Sequence, residues 1–238
     1  MNTKRRTLKT ILLLALLVLT SSNVYSQSLI GIGGAKFLPG EIYFEDGSSK
    51  EGLVQIPKRP SSQKIKFKQT EKSDTETITI HDIKSFSVTS DLGEKYILES
   101  NYIDQSKKAN VQRVTKFRIF LVVEVSGYAS LYKIGDEFRT DKKGNLYLFS
   151  YNAGDGSGAV NFKYYVKKKG AEYAEIFTIE NPVNGFIPDM SRKSVVKAME
   201  THLSEYPELI EKVRNKEIDK MDLVQIFKLY NEYVAANQ

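Results

Sequence analysis

The chain has 238 residues, no cysteine, and 35 basic against 29 acidic residues, a formal net charge of +6. The absence of cysteine excludes disulfides, cysteine–zinc sites and cysteine nucleophiles. Four of the basic residues precede position 10, so the rest of the chain has 31 basic and 29 acidic residues. This near-balance of charge excludes a basic groove for nucleic acid and a polybasic membrane patch.

The N-terminus has the pattern of a secretory signal peptide. Basic residues precede the apolar run 11–19, and small residues lead to Ser26. The run is shorter than the roughly 20 residues of a membrane-spanning helix. We therefore predict a signal peptide over residues 1–26, cleavage before Gln27 and no transmembrane anchor after cleavage.

Residues 27–36 contain the sequence GIGG, which resembles a phosphate-binding loop only superficially. The stretch lacks both a preceding strand and the lysine or third glycine of known loops. We interpret these residues as a flexible leader.

Residues 37–180 consist of short segments in which apolar and polar side chains alternate, as is typical of half-buried strands. The sequence KFRIFLVVEVSGYASLYKI at 116–134 is apolar on both faces at its middle, and it predicts a central hairpin that turns at Ser126-Gly127. Several strands at such close spacing predict a mainly antiparallel sheet that forms a sandwich or a partial barrel.

A glycine-rich loop at 152–158 interrupts the later strands. Asn152, Asp155 and Ser157 offer oxygen atoms, but the acidic spacing and terminal glutamate of a calcium-binding loop are missing. We interpret the loop as a plain hairpin connection and predict no metal site. The later run 167–170, KKKG, is a solvated turn or a contact for a phosphate or an acidic polysaccharide.

From Ser191 the apolar residues recur at helical spacing, which predicts a C-terminal helical subdomain over 190–238 and an α+β fold class. Ser191 and the Asp219/Asp222 pair are candidate caps, and Pro207 begins the second helix. The last helix has an apolar stripe that packs on the rest of the chain or binds another protein. The stripe consists of Leu223, Ile226, Phe227 and Tyr230.

Few residues suggest catalysis, and none suggests a cofactor. His81 fits a strand-ending turn and His202 fits a helix C-terminus, and neither lies in a zinc or hydrolase motif. Two pairs of acidic residues could hydrolyse a glycoside. The pairs are Glu172 with Glu175 and Asp136 with Glu137.

Tyrosine is abundant, with 14 residues. Tyr164 and Tyr165 are either exposed rings that stack on a sugar or ordinary aromatic residues of a β core. Together with the helical stripe they form the candidate interaction surface: Leu223, Ile226, Phe227, Tyr230, Tyr164 and Tyr165.

Three stretches resemble an uncharacterised family of exported Bacteroidota proteins. They are PGEIYFEDGSSKEGLVQI with the later HDIKSFSV, FLVVEVSGYASLYKI, and HLSEYPELIEKVRNKEIDKMDLVQIFKLYNEY. Members share a GYI…NGD.I.G.I opening, an F.L.V.V.G.A.LY strand pair and a helical CPEL…YN tail; here Tyr206 stands at the cysteine position. The resemblance implies a cell-envelope location in a Gram-negative bacterium, periplasmic or at the surface, and it implies no catalytic residue.

The sequence therefore predicts a non-enzymatic exported envelope protein that binds a partner protein or an envelope glycan. One alternative is a hydrolase that uses carboxylates in a β cleft. Another is a carrier of a small molecule or lipid, which requires a hollow barrel.

Overall fold

The computed structural model describes residues 36–104, 114–150, 162–183 and 187–237. The predicted signal peptide, the leader up to residue 35 and the loop at 152–158 lie outside these residues. The described part contains mainly antiparallel strands followed by three helices, which confirms the predicted α+β class.

The strands follow the predicted alternation and the helices follow the predicted change of period. The strands are β1 (Phe37–Phe44), β2 (Ser49–Gln55), β3 (Lys64–Lys68), β4 (Glu76–Thr79), β5 (Ile83–Thr89), β6 (Lys95–Asp104), β7 (Val114–Val125), β8 (Ala129–Ile134), β9 (Glu137–Thr140), β10 (Leu146–Phe149), β11 (Phe162–Lys168), β12 (Tyr173–Val183) and β13 (Ile187–Asp189). The helices are α1 (Arg192–His202), α2 (Pro207–Arg214) and α3 (Leu223–Asn237). None of the helices in the described part of the chain is both long and apolar enough to cross a lipid bilayer.

Eleven of the described strands form one sheet in the order β13-β12-β11-β8-β7-β6-β5-β1-β2-β3-β4, and β9 pairs with β10 in a separate hairpin. Strand β12 also pairs in parallel with β6, where Tyr173 lies opposite Tyr102 and Ala174 opposite Ile103. This pairing closes β6, β7, β8, β11 and β12 into a five-stranded barrel. Strands β1 to β5 continue from β6 as an open sheet.

Strand β7 lies at the centre of this arrangement and is buried on both faces at mid-length, as predicted. Phe120 and Val122 point to one side, whereas Ile119 and Leu121 point to the other. Phe120 and Leu121 are both fully buried. Burying a side chain of this size contributes roughly 1.5 to 3 kcal/mol, so β7 anchors two cores at once.

Three clusters of buried side chains follow from this topology. The sheet core lies on one face of β1 to β7 and includes Leu38, Ile42, Val54, Ile65, Phe67, Ile78, Phe86, Leu98, Phe120, Val122 and Phe138. The barrel core fills the barrel and consists of Ile103, Ile119, Leu121, Tyr132, Ile134, Tyr165 and Ala174. The helix core lies between the outer face of the barrel and the helices, and includes Leu131, Tyr164, Val166, Phe177, Val195, Met199, Leu209, Val213, Ile226, Phe227 and Tyr230.

Asn231 joins helix α3 to the β7–β8 hairpin. The Ala129 N–H donates to Asn231 Oδ1 at 2.8 Å, and Asn231 Nδ2 donates to the Ala129 carbonyl at 3.0 Å. The amide thus satisfies both backbone groups of one strand residue. A Cβ atom at Gly127 would lie 2.3 Å from Asn231 Nδ2, so the hairpin turn needs glycine for this close approach.

The starts of two helices differ from the predicted caps. Ser191 precedes α1 but makes no side-chain capping hydrogen bond. Asp222 alone caps α3, since it accepts a hydrogen bond from the Gln225 N–H at 2.9 Å. Asp219 accepts from the Met221 N–H, two residues on, so its carboxylate stabilises the local turn that precedes α3.

Replacing Leu121 by alanine should lower the free energy of unfolding by about 2–5 kcal/mol, because the substitution leaves a cavity in the barrel core. Urea unfolding followed by circular dichroism measures this loss. Leu92→Ala is the matched control: Leu92 is 60% exposed, so its truncation should change stability by less than about 0.5 kcal/mol. Equal effects of the two substitutions would contradict the central position of β7.

Asn231→Ala should cost about 1–3 kcal/mol of stability, because it leaves the N–H and the carbonyl of Ala129 without their amide partner. Asn237→Ala on the same helix is the control, since the exposed Asn237 amide only donates to the Tyr233 carbonyl. Thermal unfolding of both variants measures the difference. Similar melting temperatures for the two would show that the Asn231 contact does not hold α3.

Candidate functional site

The structure buries all six residues of the predicted interaction surface. The four stripe residues are at most 2% exposed and face β7 and β8 in the helix core. Of the two alternatives for Tyr164 and Tyr165, the structure has the aromatic residues of a β core, because they are 8% and 5% exposed. Strand β11 lies between β8 and β12, so one ring packs under the helices and the other inside the barrel.

The two histidines lie where the sequence places them, in separate structural contexts. His81 is exposed in the turn between β4 and β5. His202 is the last residue of α1, and its Nδ1 lies 3.7 Å from Glu175 Oε2. Among the described residues, no three histidine, aspartate or glutamate side chains are grouped so that they could hold a metal ion.

Contacts within the protein engage one of the two predicted pairs of acidic residues, Asp136 with Glu137. Asp136 accepts a hydrogen bond from Ser150 Oγ at 2.7 Å. Glu137 is fully buried, and its two oxygens lie 3.2 Å from Lys58 Nζ and 3.0 Å from Arg139 Nη2. These ion pairs fix strand β9 against the sheet core, which is a structural use of the carboxylate.

An open groove lies near the far edge of the sheet, between β2 and the segment after β3. Its volume is about 390 Å³, and its lining residues are Glu51, Gly52, Leu53, Gln69, Thr70 and Glu71. Glu51 and Glu71 are exposed. The groove offers a surface and no enclosed site.

A second candidate for a binding surface lies on the face of β1, β5 and β6 that is opposite the sheet core. Tyr43 lies opposite Ser85 on β5, and in the next row Ser87 lies opposite Ile97 on β6. Tyr43 and Ile97 are 37% and 38% exposed and Ser85 is half-buried, whereas Ser87 is 4% exposed, so neighbouring side chains cover it. We call the surface formed by Glu41, Tyr43, Ser85 and Ile97 the serine face.

The Tyr43 ring is held in place within the serine face. Its hydroxyl donates to Glu41 Oε2 at 2.5 Å. This hydrogen bond lowers the pKa of Glu41, so the carboxylate stays charged at neutral pH. The pair presents an aromatic ring beside a fixed anion.

The serine face continues along β6 into the barrel. Ile97, Glu99 and Asn101 lie on the same side of β6. Their exposure falls along the strand: Ile97 is 38% exposed, Glu99 is half-buried and Asn101 is 3% exposed. At this entrance Tyr132 donates its hydroxyl proton to Glu99 Oε2 at 2.7 Å, and Lys167 Nζ donates to Asn101 Oδ1 at 2.8 Å. We call Glu99, Asn101, Tyr132 and Lys167 the mouth cluster.

Burial controls the protonation of the mouth cluster. Burial, reinforced by the charge of Glu99 and the hydrogen bond to it, raises the pKa of Tyr132 well above its ordinary value, so the phenol remains a hydrogen-bond donor. Burial lowers the pKa of Lys167, and the nearby Glu99 carboxylate opposes this shift. The cluster therefore presents one carboxylate, one amine, one phenol and one amide.

The Asn101 amide is enclosed by the other members of the mouth cluster. Asn101 Nδ2 is buried and makes no hydrogen bond of regular geometry. The Asn101 side chain nevertheless interacts with the Tyr132 hydroxyl, which partly opposes the rise in the pKa of that phenol that burial causes. The mouth cluster is thus a buried network of polar side chains.

Sequence reasoning missed the mouth cluster because alternation alone assigns Glu99 and Asn101 to a solvent-facing side of β6. The parallel pairing of β12 with β6 turns that side into the inside of a barrel. The one sequence signal for the mouth cluster is the run of polar residues in YILESNYI. By itself this run does not show whether the side chains face solvent or the interior.

Comparison of the chain with protein-family models, with curated proteins and with solved structures finds no match. The function is accordingly inferred from the geometry of these side chains.

Stability should depend on the protonation of His202. Burial lowers the pKa of His202, partly against the attraction of Glu175. Below the ordinary value of about 6.5 the unfolded chain therefore binds more protons than the folded chain, and the free energy of unfolding should fall as the pH is lowered from 7 through this range.

Urea unfolding at pH 7.5 and at pH 5 should show a smaller loss of stability for His202→Gln than for the parent chain. His81→Gln is the control, since His81 is exposed and the substitution should leave the pH dependence unchanged. An identical pH dependence in the parent chain and His202→Gln would refute the role of His202.

Proposed function

We propose that the chain is an exported, non-enzymatic protein of a Gram-negative cell envelope that binds an envelope glycan through the serine face. The N-terminal signal pattern and the resemblance to exported Bacteroidota proteins support export. The observation that carries the binding function is the exposed ring of Tyr43, which is held beside the Glu41 carboxylate and lies opposite the half-buried Ser85.

This surface has the chemistry that sugars need. The apolar face of a sugar ring can stack on an aromatic ring, and tyrosine supplies both that ring and a polar hydroxyl. Ser85 is half-buried opposite Tyr43 and adds a second hydroxyl. Glu41 on β1 and Glu99 on β6 supply carboxylate acceptors on the two strands beside Ser85.

The geometry favours glycan binding over the other functions that the sequence leaves open. The helical stripe proposed for a protein partner is buried in the helix core. The barrel is filled by Leu121, Tyr132 and Tyr165, so it offers no support for a carrier that needs a hollow interior. Glu137 is enclosed by two cations rather than aimed at a cleft.

Tyr43→Ala should weaken glycan binding about tenfold, because it removes the ring on which the sugar stacks. Binding is measured by co-sedimentation of the purified exported chain with insoluble peptidoglycan and by calorimetry with soluble oligosaccharides. Tyr147→Ala is a closely matched control: Tyr147 is 41% exposed, and its hydroxyl also donates to a carboxylate, that of Asp141.

Glycan binding would be refuted by a parent chain that binds no glycan at millimolar concentration. It would also be refuted by equal losses in the two tyrosine variants. Release of sugar fragments at a rate abolished by one carboxylate substitution would instead establish the hydrolase.

A further inference from the structure

The open groove beside β2 adjoins the serine face, on the same side of the sheet. Glu51 and Leu53 line the groove, and they point away from the sheet core because the next residue, Val54, points into it. Glu51 lies directly opposite Glu41 on β1, and residues directly opposite each other share one face of a sheet. The groove therefore begins at the strand that borders the serine face.

The Tyr43 ring leans along β1 towards the groove. Its hydroxyl reaches Glu41, which lies two residues earlier on the same face of the strand. The hydrogen bond to Glu41 raises the pKa of Tyr43, and the negative charge of Glu51 adds to this rise. The exposed ring and the groove are consequently neighbours, with the Glu41 and Glu51 carboxylates between them.

Hydrogen bonds within the chain fix the far wall of the groove. Strand β2 pairs with β3 no further than Leu53, so the segment after β3 separates from β2 at this point. Gln69 Nε2 donates to the Glu51 carbonyl at 3.1 Å, and the Thr70 N–H donates to Ser73 Oγ at 3.2 Å. The wall is thus formed before a ligand arrives, and a ligand spends no binding energy on ordering it.

The lining of the groove suits a sugar chain. Leu53 is half-buried and lies opposite the exposed Pro39 of β1, which provides an apolar contact. Gln69 and Thr70 add an amide and a hydroxyl on the wall. The groove has a volume of about 390 Å³ and is open, whereas a pocket for a single small ligand encloses most of its surface. A chain can therefore enter and leave it.

From this continuity we propose that the groove and the Tyr43 ring form one extended site, which binds consecutive units of a linear glycan within its chain. One unit stacks on the Tyr43 ring, and the following units lie in the groove against Leu53 and the wall. Each unit in the groove adds contacts, so affinity increases with chain length. This assignment rests on the glycan-binding function and names its class of ligand, a polysaccharide rather than a terminal sugar.

Calorimetry with short and long members of three neutral series tests the assignment. The probes are the two-unit and six-unit oligosaccharides of chitin, cellulose and amylose. A six-unit chain offers about five positions to a site for two units, which by itself gains at most about fivefold in affinity. In at least one series the parent chain should bind the six-unit probe roughly tenfold or more tightly. A gain that does not exceed about fivefold overturns the assignment.

Glu71→Arg tests the groove without changing the Tyr43 ring. Glu71 is exposed and lines the groove, so the fold should accept a longer side chain that obstructs it. The six-unit probe should lose its extra affinity, whereas the two-unit probe should bind as it does to the parent chain. Glu94→Arg is the matched control, because it makes the same change at an exposed position between β5 and β6. It should keep the preference for the longer probe.

Leu53→Ala is the second variant, and it removes the apolar contact in the groove. It should weaken binding of the six-unit probe roughly fivefold and leave the two-unit probe unaffected. Leu92→Ala, at a side chain that is 60% exposed away from the groove, should leave both affinities unchanged. If Glu71→Arg does not fold, Leu53→Ala decides.

Mapping of NMR chemical shifts locates the probes independently of affinity. The backbone N–H signals of Glu41 and Tyr43 should shift with both probes. Those of Glu51, Leu53 and Thr70 should shift with the six-unit probe. Shifts with the six-unit probe that spare these three groove residues would overturn the extended site.

The outcomes separate this assignment from the function on which it rests. If the parent chain binds no glycan, both fail. If Tyr43→Ala weakens binding of both probes, but Glu71→Arg and Leu53→Ala keep the preference for the longer probe, the glycan function stands and the groove is not part of the site. If the parent chain binds only insoluble peptidoglycan, co-sedimentation decides: Glu71→Arg should bind less than Glu94→Arg, and equal binding overturns the extended site.

Discussion

The fold depends on the burial of strand β7 on both of its faces. Phe120 contributes to the sheet core and Leu121 to the barrel core, and the two are adjacent in sequence and fully buried. A strand of this kind cannot lie at an edge or face water, so partner strands must extend on both sides. The open sheet grows from one side through β6 and the barrel closes from the other through β8.

The helices complete the barrel rather than forming a separate surface. Strands β8 and β11 have apolar outer faces that need a cover, and the stripe of α3 supplies it. Asn231 fixes the docking by bonding both backbone groups of Ala129, which an apolar contact alone could not orient. The stripe is consequently used for folding, and the surface that we propose for recognition lies on the strands.

The mouth cluster exists because β6 belongs to two structures at once. Its first half runs along the open sheet, where Ile97 is partly exposed, and its second half lines the barrel, where Asn101 is buried. Polar side chains on one side of a single strand thus pass from solvent to interior. The low dielectric at the inner end strengthens their hydrogen bonds.

Local patterns by themselves determined the elements of this protein. Alternation identified most strands, the doubly apolar run at 116–134 identified the central hairpin, and helical spacing identified the α3 stripe, because each signal depends on neighbours in the chain. Tertiary structure decided the rest. The contact of β12 with β6 brings together residues about 70 positions apart, and it makes Glu99, Asn101 and Tyr165 face the inside of a barrel, whereas the helices cover Tyr164. Periodicity shows that the two faces of a strand differ, but only the folded structure shows what covers each face.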